Sequence, residues 1–406
     1  MFLPRRIAHP LRAVVLHILC LGVFAAAGTS SVAVAAGSHR SAGCPVVAYA
    51  ASQAHAVRHR RMCAFRVRNP FGAGMFGIAT GSTLQNEVAT PTVLSRDLGD
   101  DRAVGARWIR IDINWAQIQY AGPHSYAWQD IDAAVRRARA MGMSVLGTIV
   151  FTPSWARPRG TVASWGPRPT AYGNFAGIAA AHYAALGVHT FEIWNEENIS
   201  GGWTPRPDPV RYAQVLRRAY AAIKHAAPGS VVMTGGTAPA LNGGGNLTPV
   251  RFLAKIYAHG AHGYFDAVAN HPYCWPAYPG AKGAWSAWYQ MYGTHPSMRS
   301  LMIAHGDGAK RIWATEFGAP TDGPTGTYVS QRTQARMVTS AYRLFATYRW
   351  AGPMFYYSSR DLGASLNTRE NFFGFISHNF TRKPSFSAYH RIAMSVRSAL
   401  AVAPAP

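Results

Sequence analysis

The sequence of 406 residues predicts an α/β fold, a (β/α)8 TIM barrel formed by a single catalytic domain over residues 71–400. Three observations carry that prediction. Short apolar runs alternate with amphipathic stretches along the chain. From Arg110 onward the ends of those runs recur roughly every 40 residues, the period of strand–helix units with long loops. The runner-up, an open doubly wound sheet, needs a phosphate-binding turn. GAGMFG (72–77) matches G-x-G-x-x-G but leads into a strand instead of opening a helix.

The runs, in order, are MFGIAT (75–80), RWIRIDI (107–113), SVLGTIVF (144–151), TFEIW (190–194), SVVMTGG (230–236), FDAVAN (265–270), RIWAT (311–315) and GPMFYYS (352–358). Each is short, rich in β-branched or aromatic residues, and bounded by turn formers. Helix starts lie between them at Thr90-Pro91, Asp208-Pro209 and Thr248-Pro249, each a side-chain acceptor followed by proline in the first turn. Gly229 is placed to end the second of these helices. WQDIDAAVRRARAMG and QARMVTSAYRLFATY carry the apolar spacing of helices that bury one face.

Outside the barrel, residues 1–35 read as a secretory signal. Arg5, Arg6 and Arg12 precede an apolar stretch too short to span a membrane, and small residues follow up to Ala33–Ala35. Removing three arginines and no acid lowers the formal charge from +23 to +20. The expected location is extracellular or in the cell envelope, with no membrane span in the mature chain. Residues 36–70 read as a basic linker, a solvated leader or a tether to an anionic envelope polymer, with Arg58, Arg60, Arg61, Arg66 and Arg68 and no acid among them. Residues 401–406 read as a tail. Export leaves Cys44, Cys63 and Cys274, an odd number, with Cys44 and Cys63 the guess for a pair. No Cys/His spacing points to zinc, and no metal or cofactor is expected. Nucleic acid is not an expected partner, because no basic helix is interleaved with aromatics. Neither G-x-S-x-G nor H-E-x-x-H occurs, which removes support for serine hydrolase and metalloprotease chemistry.

Only 17 acidic residues exist in the chain, yet FEIWNEENIS (191–200) gathers Glu192, Glu196 and Glu197. Glu196 follows the fourth strand and Glu316, in RIWATEFGAP, follows the seventh. In such a barrel both strand ends open onto one cleft. Two carboxyls facing each other are what glycosidic cleavage needs, one to protonate the leaving oxygen and one to attack the anomeric carbon or activate water. A lone Glu at a strand end is more often a helix-terminal carboxylate or half of an ion pair; the matched placement of two favours catalysis. Strand alternation puts Glu192 on the face of Trp194 and Glu196, one layer deeper, as a partner for an arginine such as Arg110. Glu197 reads as a cap of the following loop.

W-N-E at the end of strand four and T-E-F-G at the end of strand seven resemble clan A glycoside hydrolases, of the cellulase-like family 5 and family 39 type that includes exopolysaccharide hydrolases. FGIATG, RWIRIDINWAQIQ, GTIVFTPSWA and NHPYCWP resemble the first, second, third and sixth strands of that group, and the likeness covers most of residues 75–395. The resemblance implies Glu196 as acid/base and Glu316 as nucleophile, with retention of configuration. It implies Asn195 on the sugar 2-hydroxyl, Arg110 beneath the nucleophile, and His271 and Tyr273 around Glu316 and the substrate. The group commonly has proline after the acid/base, where this chain has Glu197. It often ends strand eight with tryptophan, where this chain offers Tyr356 or Tyr357 as a floor for the sugar. Of the loop tryptophans, Trp155 and Trp275 are the expected sugar-stacking faces. The leading expectation is a secreted retaining hydrolase of a β-linked polysaccharide or oligosaccharide. The alternative is a carbohydrate-binding barrel with little catalysis.

Overall fold

A computed structural model of the chain describes residues 67–80, 84 and 90–401. Its strands are β1 (Phe76–Ala79), β2 (Trp108–Asn114), β3 (Ser144–Val150), β4 (Thr190–Asn195), β5 (Val231–Gly236), β6 (Ala267–Asn270), β7 (Arg311–Phe317) and β8 (Ala351–Tyr357). They pair in chain order, all parallel, and β8 returns to β1 to close a (β/α)8 barrel. Every expected strand is present, with ends moved by a residue or two. Closure rules out the open doubly wound sheet. GAGMFG forms a short 3-10 turn running straight into β1.

Several helices, including the three expected ones, start where proline pre-sets the backbone. Asp208 accepts from the Arg211 amide ahead of helix Pro209–Ala226, and Thr248 accepts from the Arg251 amide ahead of Pro249–Ala258. Thr90 precedes Pro91–Val104 without capping it through its side chain. The helix expected to end at Gly229 stops at Ala226, so Gly229 belongs to the turn that follows.

Two apolar layers result. Isoleucines of β2 and Phe191 and Ile193 of β4 pack outward against the helices. Ala79, Leu146, Met233, Ala269, Trp313 and Phe355 form a smaller cluster inside the barrel. Arg110 pairs in register with Ala79 on one side and Leu146 on the other, so it sits at the top of that plug. Above it the interior turns polar, and this change of lining is what a cleft at the strand C-terminal ends requires.

The folded region begins before residue 71. The Arg68 and Asn69 amides donate to the Ala346 carbonyl, and the Asn69 side chain donates to Gly352 O. The signal, the rest of the basic linker, Cys44, Cys63 and residues 402–406 lie outside the described residues. Cys274 is buried as a free thiol, and burial pushes its pKa up to about 12. No helix among the described residues is long and apolar enough to cross a membrane.

Candidate active site

The stretch Trp194–Asn198 sends successive side chains to different places. Trp194 and Glu196 both have positive φ, 78° and 55°, which breaks strand alternation. Trp194 does not share a face with Glu192, as alternation predicts. It is fully buried, packs against Tyr172 and Trp203, and donates from Nε1 to Gly202 O. Asn195 turns inward to accept from Arg110. Glu196 enters the cleft, its amide anchored to Gly236 O of β5. Asn198 clamps the loop by donating to the Ala238 and Leu247 carbonyls and accepting from the Ala238 amide.

Glu316 reaches the same cleft differently. On β7, residues 311, 313 and 315 share one face, so plain alternation would turn Glu316 away. The pairing of β7 with β8 slips between Ala314 and Phe317, a β-bulge that re-aims the carboxylate inward. Thr315 and Glu316 then both point into the polar layer, and each makes a hydrogen bond there.

Within the cleft one oxygen of Glu196, one oxygen of Glu316 and a ring nitrogen of His271 all lie within 4.8 Å of one another. The two glutamate side chains keep 11% and 12% of their surface exposed, whereas Glu192 and His271 have none. Arg110 is the hub below them. Its Nε donates to Glu192 Oε2 at 2.6 Å, Nη1 to Glu316 Oε1 at 2.8 Å and Nη2 to Asn195 Oδ1 at 2.7 Å. Glu192 also accepts from Thr148 and Thr315, so each of its oxygens is engaged. Burial opposes the Arg110 charge, but Glu192 and Glu316 outweigh it and raise its pKa. At 2% exposure Arg110 lies beneath Glu316 and positions carboxylates; it is not a substrate-binding residue facing a sugar.

Tyr273 donates to the second oxygen of Glu316 at 2.8 Å. His271 Nδ1 lies 3.1 Å from Glu196 and 3.6 Å from Glu316. Burial works against a charged imidazole, yet Glu316 and Glu196 win and its pKa is raised. The glycine pair ending β5 makes room on both faces. A Cβ on Gly236 would meet His271 Nε2 at 2.1 Å, and one on Gly235 would meet Glu197 Oε2 at 2.1 Å. Asp112 follows Arg110 on the same face of β2. Burial pushes its carboxyl up to about 6, with Arg110 pulling it down and Glu316 and Glu192 adding to the rise.

Glu197 caps no loop. It is fully buried, turned toward Gly235 and Tyr212. Burial pushes its carboxyl up to about 8, so below that pH it is neutral and places no charge beside Glu196. Tyr356 is also corrected. It points out of the barrel, stacks on Phe375 and donates to Phe373 O. Tyr357 is the strand-eight residue on the cleft side, with a pKa raised by burial and by Glu316, Glu370 and Asp112. Phe355 inside the barrel and Tyr357 share a face by alternation, a signal legible in MFYYS. Phe373 packs edge-on to Tyr273, Trp275 and Tyr357, which ties Trp275 to the cleft wall, and Arg369 lies 5.0 Å over the Trp275 ring. Trp155 is 39% exposed, meets Trp115 edge-on and donates to Gln119 O, with no contact to the carboxylate group.

Glu196, His271 and Glu316 are also the one group among the described residues with atoms close enough to share a metal ion. The donor set argues against that use. Glu316 already accepts from a guanidinium and a phenol, which supply positive charge where a cation would have to compete.

The fold has parallels among solved structures. A family 39 glycoside hydrolase from Bacteroides cellulosilyticus superimposes with a TM-score of 0.62 at 22% identity, over 79% of this chain and 63% of that one. The chain thus spans less than two thirds of that protein. A family 5, subfamily 18 glycoside hydrolase from Streptomyces cattleya, solved with N-acetylglucosamine, gives 0.58 at 19% identity over 84% and 83%. A fungal β-1,4-galactanase gives 0.55 at 17% identity over 78% and 98%. No family model matches the sequence, and no curated protein matches it. At these identities the likeness is one of fold alone.

Proposed function

We propose that this chain is a retaining glycoside hydrolase acting on a β-linked polysaccharide or oligosaccharide. The observation that carries the reading is the approach of Glu196 and Glu316 to within 4.8 Å, each still partly open to the cleft. Carboxyls about 5 Å apart suit double displacement, whereas inversion needs room for a water between them. Glu316, held by Arg110 and Tyr273, attacks the anomeric carbon. Glu196 gives its proton to the departing glycosidic oxygen, which leaves a glycosyl ester on Glu316. Glu196 then takes a proton from water as that water displaces Glu316, restoring both groups. Asn195 is fixed by Arg110 through its oxygen, and its amide nitrogen makes no hydrogen bond among the described residues, so it can donate to a sugar hydroxyl beside the nucleophile. His271 bridges the carboxylates, and Trp275, Phe373 and Tyr357 supply apolar faces for sugar rings.

The neutral, inward-buried state of Glu197 weakens the case for a barrel that only binds sugar, since the missing proline leaves no extra charge beside the acid/base. A β-glycan panel tests the proposal. Turnover of at least one substrate with β product formed first supports it; binding without turnover by the wild type overturns it. Export and envelope attachment complete the proposal. Mass spectrometry of the mature chain should find an N-terminus near residue 36, and an intact Met1 would contradict export. Salt-sensitive binding to an anionic wall polymer, lost on deleting residues 36–68, is the expected sign of the tether.

A further inference from the structure

A groove of about 990 Å³ runs along the outer flank of the barrel between helices Gln331–Phe345 and Pro384–Ala401. Arg332, Arg336 and Arg343 enter it from one helix and Arg391 from the other. All four are exposed, and none has an ion pair or side-chain hydrogen bond among the described residues. No acid lines the groove, and neither helix contains an Asp or Glu. Other arginines of the fold, among them Arg110, Arg136, Arg211 and Arg382, have a carboxylate partner. Positions 332, 336 and 343 line one side of their helix over about 16 Å, long enough for several repeats of a charged polymer.

The chain enters the fold beside this groove. Arg68 and Asn69 donate to Ala346, next to Thr347 in the groove wall. The residues that precede them are basic, with Arg58, Arg60, Arg61 and Arg66, so like charge excludes that segment as the occupant. Tyr292 is 37% exposed at the rim, its hydroxyl beside Gly280 and near Leu344 of the groove, and it offers a ring face for stacking.

We propose that this arginine groove is a second glycan site, separate from the cleft, that holds an acidic, uronate-bearing polysaccharide. It rests on the proposed function only for the choice of a glycan as the polyanion. The guanidiniums pair with successive carboxylates, and the apolar wall of Pro279, Leu344 and Pro384 takes the ring faces between them. Binding keeps the domain on a charged polymer while the cleft works elsewhere.

Arginine-directed modification by phenylglyoxal, read peptide by peptide on the full chain, tests the proposal with polygalacturonate as probe. The expected result is at least about fivefold protection of Arg336, Arg343 and Arg391 at low salt, lost at about 1 M salt. The double variant Arg336→Ser/Arg343→Ser should bind polygalacturonate about tenfold more weakly, with an unchanged melting temperature and unchanged hydrolysis of a small aryl glycoside. Protection confined to residues 58–68, or none, overturns the site. Equal protection by a neutral galactan, or better protection by single-stranded DNA at matched charge, overturns the assignment of its ligand. A chain that hydrolyses no glycoside yet shows the expected footprint loses the proposed activity and keeps this site.

Discussion

At the end of β4 the chain twists through two left-handed residues, and at the end of β7 it slips register against β8. Both irregularities deliver one carboxylate to one cleft, and the surroundings of the two groups then differ. Glu316 is gripped from below by Arg110 and from the side by Tyr273. Glu196 has one side-chain hydrogen-bond partner among the described residues, His271, and a backbone tied to β5. A nucleophile must be placed against carbon within a few tenths of an ångström, which favours a rigid grip. An acid/base must exchange protons with leaving group and water, which favours fewer fixed partners.

Substitution breaks that comparison at its strongest point first. Glu316→Gln removes the nucleophile and should lower kcat on the order of 10⁴-fold or more for every substrate, measured with aryl and natural glycosides alike. Glu196→Gln should lower kcat about 10²- to 10⁴-fold on unactivated glycosides and much less on an aryl glycoside whose leaving group needs no proton. Equal losses on both substrate types would show that the two carboxylates do not divide the work.

Arg110→Met comes next. It leaves Glu192 buried without its cation, and denaturant unfolding should show a loss of about 3–5 kcal/mol. Glu197→Gln sharpens the contrast from the other side. The folded carboxyl ionises near pH 8 and the unfolded one near 4.5, so the unfolded state holds fewer protons between those values. Wild-type stability therefore falls as pH rises through that window, by at most about 1.4 kcal/mol per pH unit. The variant should match wild type near pH 4 and melt progressively higher than it up to pH 8; parallel curves would contradict a buried neutral acid. The smallest effects separate the tyrosines. Tyr273→Phe removes one donor from Glu316 and should lower kcat about tenfold. Tyr356→Phe should cost about 1 kcal/mol of stability and leave kcat unchanged.

The barrel was legible in the sequence because its strands are short apolar runs and three of its helices start with an acceptor and proline. Glu196 and Glu316 were legible by position at the ends of the fourth and seventh strands, and the ion pair of Glu192 with Arg110 by depth. Which way the neighbouring side chains turn was not. Period two places Trp194 beside Glu192, and the left-handed backbone at Trp194 overrides it. The choice between Tyr356 and Tyr357 needed the strand register, which sets Phe355 inside the barrel. Thr148 and Thr315, which complete the shell of Glu192, carry no sequence mark until β3 and β7 are brought around the same carboxylate. The sequence total of +23 showed that the chain is basic but not where charge is left unpaired. In the cleft Arg110 is paired with Glu192 and Glu316, whereas the four arginines of the flank groove face one another without an acid.

Covalent trapping tests the central claim most directly. Incubation with a 2-deoxy-2-fluoro glycoside bearing an activated leaving group, followed by peptide mass spectrometry, should add one glycosyl residue to the peptide containing Glu316 and none to that containing Glu196. A label on Glu196, or an enzyme that turns over its substrate without ever carrying a glycosyl group on Glu316, would contradict it.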